Sequence, residues 1–356
     1  MGTTKEKETS NPSLGENMTG DAIGARDNNR VELWKVAPRS VPFALGIAAS
    51  DICNFKCIYC GHSTPKGIKD ARILTWDDFL IIAHQIEELL ESGKDDLKII
   101  RFIGNGEPLV NKLLPDMVRY ISERKYTSRI EVTTNGSLLT HEVSDALLDS
   151  GLTRLLVSVQ GTTSKKYKEI CGYNLDYDKY LEQIAYFYQH KKECGLYVKT
   201  VDVALEDKDD EQTFLEMFKP ICDMVCVEQL MNGYSDVDYS FITAKDVDHV
   251  ARYGGDYKTK VCCDTMFMYM NIHSNGNVDC CGCKYPPLFI GNIFNTPLNK
   301  IWNGDVHKMM MEKHLQGKRQ EILCCSDCAS IESFNTFPND NLDAHLKEVL
   351  ERVQRL

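Results

Sequence analysis

Between residues 42 and 230, six short apolar stretches alternate with helical patterns, and no other feature restricts the chain as much. Apolar runs too short for helices, separated by amphipathic segments, are joined most simply as parallel strands with right-handed crossovers. Strands are expected at residues 43–49, 98–103, 129–134, 154–159, 197–205 and 224–230. Helices are expected from Thr75 to Gly93, at 110–124 and 140–150, from Thr163, at 176–193 and at 211–218. Thr75 reads as an N-cap with Asp77 and Asp78 in the first turn, and Phe79, Ile82, Ile86 and Leu89 follow at helical spacing. A closed eight-unit barrel takes about 250 residues, whereas this region has about 190. The expected fold class is therefore α/β, a partial (βα)6 TIM barrel with a smaller C-terminal part. Its chemistry belongs at the carboxyl ends of the strands.

The loop after the first strand reads Asp51-Ile52-Cys53-Asn54-Phe55-Lys56-Cys57-Ile58-Tyr59-Cys60. Three thiolates at C-x3-C-x2-C spacing cannot all pair as disulfides with one another. They can ligate three irons of one cubane cluster and leave the fourth iron open to a non-protein ligand. A zinc site with a distant fourth ligand, or reduced surface thiols, is the competing reading. After the second strand, Gly104 and Gly106 let a ligand approach the backbone, and Glu107 offers a carboxylate to a cation. Thr133-Thr134-Asn135-Gly136 follows the third strand and by itself signals only a turn. The fourth strand ends Val157-Ser158-Val159-Gln160-Gly161; Ser158 reads equally as a site residue or as a strand serine satisfied by backbone.

In this order the four stretches resemble the radical S-adenosylmethionine (radical SAM) enzymes, over residues 43 to about 230. The resemblance includes Tyr59, the aromatic before the third cysteine, and a Gly-Gly-Glu stretch in which Asn105 replaces the first glycine. It implies that Cys53, Cys57 and Cys60 bind a [4Fe-4S] cluster whose open iron is chelated by SAM. It implies further that Gly104, Asn105, Gly106 and Glu107 hold the methionyl amino group, and that Asn135 belongs to the family's T-x-N-G stretch. Ser158 would contact the ribose or carboxylate of SAM, and Gln160 would face the substrate. An external one-electron donor such as flavodoxin or ferredoxin would trigger cleavage of SAM to a 5'-deoxyadenosyl radical, which takes a hydrogen atom from substrate.

A second set of cysteines, Cys262, Cys263, Cys280, Cys281, Cys283, Cys324, Cys325 and Cys328, lies beyond the barrel. Met266 to Ile272, the turn His273-Ser274-Asn275-Gly276, and Asn277-Val278-Asp279 read as a hairpin with cysteines at its open end. The pattern Cys263-x12-Gly276-x4-Cys281, and the later Leu288 to Ile293 and Leu298 to Trp302, resemble SPASM and twitch modules. That resemblance implies one auxiliary [4Fe-4S] cluster on Cys263, Cys281, Cys325 and Cys328, in a shortened module, since no cysteine follows Cys328. Adjacent cysteines leave the choice within each pair open by one residue. Two cysteine pairs also make a tetrahedral zinc site. The expected boundaries are 1–30 for a disordered polar tail, 31–240 for the barrel, 241–335 for the cysteine-rich module and 336–356 for a C-terminal helix.

Composition narrows the function. With 43% hydrophobic and 26% charged residues the chain has an ordinary globular composition, and a net charge of −11 gives no attraction to nucleic acid or anionic lipid. No apolar run is long enough to span a bilayer, and the first thirty residues hold no secretory core. Fifteen cysteines without a signal segment imply a reducing, cytoplasmic location and metal ligation. The expected activity is a radical SAM oxidoreductase of dehydrogenase type acting on a small polyol or sugar-like substrate, with the auxiliary cluster taking the second electron. The alternatives are a peptide-modifying maturase, a radical epimerase in which Cys171 returns a hydrogen atom, and a non-catalytic iron-sulfur or zinc redox protein. Residues 1–30 cannot build a leader-peptide-binding module, which favours a small molecule over a peptide. Cys194, Cys222 and Cys226 read as core packing.

Overall fold

A computed structural model gives the structure, which describes residues 31–241, 251–253, 259–282, 285–326, 328, 330–333 and 337–356. The expected tail, residues 1–30, and Cys283 lie outside the described residues.

Six parallel strands form as the alternation requires: β1 (Ala44–Ile47), β2 (Ile99–Phe102), β3 (Ile130–Thr134), β4 (Arg154–Val159), β5 (Gly195–Val201) and β6 (Met224–Glu228). The helices α1 (Trp76–Ser92), α2 (Leu114–Arg124), α3 (His141–Leu148), α4 (Ser164–Cys171), α5 (Tyr177–His190) and α6 (Lys208–Phe218) connect or follow them. Their starts are written locally. Thr75, Thr140, Thr163 and Asp176 each accept a hydrogen bond from a backbone N–H of the first turn. Two of the boundaries that differ from the sequence reading have a plain local cause. The fifth strand stops at Val201 because Asp202 Oδ1 accepts from Val203 N and Leu230 N, which turns the chain. The helix expected from residue 110 begins at Leu114, because Asn111 spends its side chain on Ala49 O, Leu74 O and Leu113 N.

The strands bury one face under the helices and turn the other inward. On β4, Leu155, Val157 and Val159 are fully buried, while Arg154, Leu156 and Ser158 alternate with them half-buried. The cysteine-rich region is not a separate hairpin beside the barrel. Its first strand, β7 (Tyr269–Ile272), pairs in parallel with β1, and β8 (Asn277–Asp279) and β9 (Phe289–Asn292) continue antiparallel. One nine-stranded sheet results, in the order β6-β5-β4-β3-β2-β1-β7-β8-β9. Gly46 makes the join close: a Cβ there would lie 2.2 Å from Tyr269 Oη and 2.5 Å from Asn271 Oδ1. Beyond the sheet, α7 (Leu298–Trp302) and α8 (Asp305–Leu315) follow, and the last helix, α9 (Leu346–Gln354), packs on α8. No described helix is long and apolar enough to cross a membrane.

Candidate functional site

The three-cysteine loop is stitched to the neighbouring strand ends on both sides. Glu107 N donates to Ile52 O at 3.0 Å, and Lys56 N and Ile58 N donate to Cys171 O and Ile170 O, both at 2.9 Å. Asn54 Nδ2 donates to Ser137 Oγ, and Asn135 Nδ2 donates to Asn54 Oδ1. The Thr-x-Asn-Gly turn thus holds the cysteine loop by a side-chain bridge, with Asn54 and Ser137 as partners that the sequence reading missed. Cys53 Sγ accepts from Phe55 N at 3.4 Å. Burial pushes the Cys53 thiol up to about 12 and also raises Cys60, so binding of metal there must release protons.

The glycine-acid turn is tied closely to its own chain. A Cβ on Gly106 would lie 2.4 Å from Ser50 O and 2.6 Å from Ile52 O, both backbone atoms. The missing side chain lets two chain segments meet. Gly106→Ala is therefore expected to part the turn from the cysteine loop, at a cost of about 1–3 kcal/mol. Iron bound at the loop, measured after anaerobic reconstitution, should fall by more than half; full loading at unchanged thermal stability would refute this. Glu107 is also occupied by its own chain. Its carboxylate accepts from Leu109 N (2.9 Å), Thr134 Oγ1 (2.6 Å) and Asn135 N (2.7 Å). Three of about four lone-pair positions are filled, which makes it first a brace between the ends of β2 and β3. Burial raises its carboxyl, and these donors oppose that shift.

The other expected residues fall as follows. Ser158 is half-buried on the inner face, and among the described residues its hydroxyl has no partner. Gln160 is buried, with Nε2 on Ser158 O and an unpartnered Oε1. Tyr59 Oη and Asp51 Oδ1 are also buried without partners, while Asp51 Oδ2 accepts from Ser274. Three thiols whose charges act on one another, with unmatched polar atoms nearby, fit a polar group held by the loop. Cys171 is 1% exposed and lies against the Cys57 thiol. That position makes it a neighbour of the loop rather than a group open to a substrate.

In the second set, Cys263, Cys281, Cys325 and Cys328 lie close enough for their charges to act on one another. Cys262 and Cys280 are 1% exposed, inside the core. Each ligand segment is staked by a residue that sequence reasoning missed. Asp343 accepts from Val261 N and Cys262 N, and Asp279 from Cys281 N and Gly282 N. His314 Nδ1 accepts from Cys263 N, and Arg319 donates to Cys325 O and Cys328 O. Cys324 touches Cys325 at 3.6 Å; this contact holds Cys324 down at about 7 and pushes Cys325 up. Among the described residues no three metal-binding side chains form a ready-made site for a single ion.

Inside the barrel one row runs across five strands in register: Asn271, Gly46, Arg101, Glu131 and Arg154. Glu131, 2% exposed, accepts from Arg101 Nε (2.7 Å), Arg129 Nε (2.8 Å) and Arg154 Nη1 (2.8 Å). Higher on the same face, Lys199 and Arg252 share Glu228 at 3.0 and 2.9 Å. The inner wall thus carries more cations than carboxylates, in a chain of net charge −11.

Comparison with known proteins agrees with the cysteine geometry. Residues 47–218 match the radical SAM superfamily, and residues 262–329 match SPASM, an iron-sulfur cluster-binding domain. A GTP 3',8-cyclase of Alkaliphilus metalliredigens is 35% identical over 133 residues, 37% of this chain and 39% of that protein. One from Staphylococcus aureus is 30% identical over 211 residues, 57% of this chain and 58% of that protein. The chain spans about half the length of the curated relatives it matches, or less. Streptococcus suis SuiB bound to its precursor peptide SuiA shares the fold, at TM-score 0.55 and 18% identity, over 85% of this chain and 72% of that one. These relatives overturn the expected polyol or sugar-like substrate: the curated matches are consistently GTP 3',8-cyclases, whose substrate is a purine nucleotide.

Proposed function

Because the chain belongs to the radical SAM superfamily and carries an iron-sulfur SPASM module, we propose that it abstracts a hydrogen atom from a small phosphorylated substrate of the purine nucleotide class. Cys53, Cys57 and Cys60 would hold the first [4Fe-4S] cluster, which with bound SAM supplies the 5'-deoxyadenosyl radical. The observation that carries the substrate reading is Arg101. Its Nε is spent on Glu131, while the rest of a side chain that is 36% exposed, though on an inner strand, makes no other hydrogen bond among the described residues. A guanidinium edge open inside a barrel recognises phosphate or carboxylate oxygens. The excess of cations around it concentrates an anionic substrate there. Ser158 would contact the ribose or carboxylate of SAM, and Gln160 would face the substrate. Were Cys263, Cys281, Cys325 and Cys328 all to ligate the second cluster, no iron of it would be left open, and that would favour dehydrogenase-type electron transfer over direct coordination of substrate. A flavodoxin or ferredoxin would be the outside electron donor.

The test is anaerobic turnover of reconstituted protein with SAM and dithionite, comparing GTP, ATP, guanosine and no addition. Formation of 5'-deoxyadenosine should rise with a triphosphate and take up deuterium from the labelled ribose; guanosine should be far weaker. If no nucleotide alters the rate, the reading fails. Arg101→Gln should raise half-saturation by nucleotide about tenfold or more, the worth of one charged hydrogen bond. Substrate-free cleavage of SAM should stay unchanged.

A further inference from the structure

After β6 the chain crosses the cysteine loop as a strap, residues 232–239, and this strap is tied on both sides. Toward the loop, Tyr239 Oη accepts from Gly233 N and Tyr234 N, both at 3.3 Å, and donates to Tyr59 O at 3.4 Å. The Tyr234 ring fills the space beside Gly61, where a Cβ would lie 2.9 Å from its Cδ1. Its hydroxyl lies near enough to Cys60 for the two groups to act on one another. Toward the cysteine-rich module, Tyr285 N donates to Gly233 O at 2.8 Å and Ser235 N to Tyr285 O at 3.3 Å, so the two segments form a bridge. The rings of Tyr234 and Tyr285 stand 6.0 Å apart, and Ser330 Oγ donates to Asn232 O. Tyr285 stands four residues after Cys281.

We propose that Tyr234 is a positioning residue of the first centre, donating its hydroxyl hydrogen to the Cys60 sulfur, and that Tyr285 holds it there from the auxiliary side. A donor to a thiolate sulfur stabilises the more negative, reduced state of an attached cluster and so raises its potential. The position of the module would thereby set how readily the first centre is reduced. Among the described residues, the strap brings this about without a hydrogen bond from the module to a sulfur of the first loop. The inference rests on the superfamily's cluster at Cys53, Cys57 and Cys60, and is independent of the nucleotide reading.

The test is an EPR-monitored redox titration of reconstituted full-length protein. Tyr234→Phe should make the first cluster about tenfold harder to reduce, a shift of about 59 mV to lower potential. Tyr285→Ala should move it in the same direction, although Tyr285 contacts no cluster sulfur, and Tyr285→Phe should restore the wild-type value. A potential unchanged in Tyr234→Phe, at full iron content, overturns the hydrogen bond. One that shifts there but not in Tyr285→Ala overturns the link to the module. Resonance Raman spectra of the wild type in H2O and D2O check the bond without substitution, since absence of a deuterium shift in the Fe–S(Cys) stretches also overturns it. If no iron binds at the first loop at all, the superfamily assignment of the site fails instead.

Discussion

Replacing Cys53, Cys57 and Cys60 together by alanine should remove half of the iron and all SAM cleavage while leaving the second centre in place. Reconstituted wild type should carry about eight irons and the triple variant about four, since each cubane contributes four. Formation of 5'-deoxyadenosine should fall to background, a loss of more than about a thousandfold. The two centres separate because their supports do. The second set is staked by Asp279, His314, Arg319 and Asp343, which among the described residues make no hydrogen bond to the first loop. The first loop is held by backbone bonds from Lys56, Ile58 and Glu107 that do not pass through a thiol, so the fold should survive the loss of all three sulfurs. Mössbauer spectroscopy and iron and sulfide counting, with a thermal melt as control, decide the matter. Loss of all iron would mean that the two sites assemble as one unit; four irons plus zinc in the wild type would remove the auxiliary cluster.

The six-strand alternation was legible because each strand is an apolar run and most helices announce their start with a capping Thr or Asp. Placing the chemistry at the strand ends followed from topology alone. What escaped was pairing between distant segments. Nothing local says that Tyr269–Ile272 lies parallel to Ala44–Ile47; the hairpin turn after it suggested a self-contained unit. The one trace is Gly46, whose small size reads as ordinary strand sequence until Tyr269 and Asn271 are seen to fill its place. Glu107 was visible as a carboxylate near a ligand, but two of its three donors come from Thr134 and Asn135, on the next strand's end. Arg101, Glu131 and Arg154 looked like scattered charges. Their alternation with Ile100, Val132 and Leu155 was the available signal, for it puts all three on the inner face. The substrate class was misjudged because no contiguous motif carries it; the correction came from the relatives.

Glu131→Gln should be the most destabilising single change in the barrel, and its effect should depend on pH. The substitution keeps shape and volume but leaves Arg101, Arg129 and Arg154 without their common counter-charge. Stripping one partner from a buried ion pair costs about 3–5 kcal/mol. The lower end applies here, because the arginine side chains retain 36%, 30% and 17% exposure and water screens them in part. Burial alone would raise the Glu131 carboxyl, but the three guanidinium groups outweigh it and hold the group below the ordinary carboxylate range. A carboxyl depressed in the folded state stabilises fully above its unfolded value of about 4.3 and loses that stabilisation as pH falls through the folded value. Urea unfolding should therefore show the wild type well above the variant at about pH 7, with the gap closing only in strong acid. A difference under about 1 kcal/mol at neutral pH would show that the cluster is balanced by solvent instead. The same variant separates stability from function. Freed from Glu131, the arginines present more positive charge to the barrel interior, so Glu131→Gln should bind a triphosphate more tightly while unfolding more easily. Parallel losses of both would mean that Glu131 shapes the binding wall rather than competing with the ligand for it.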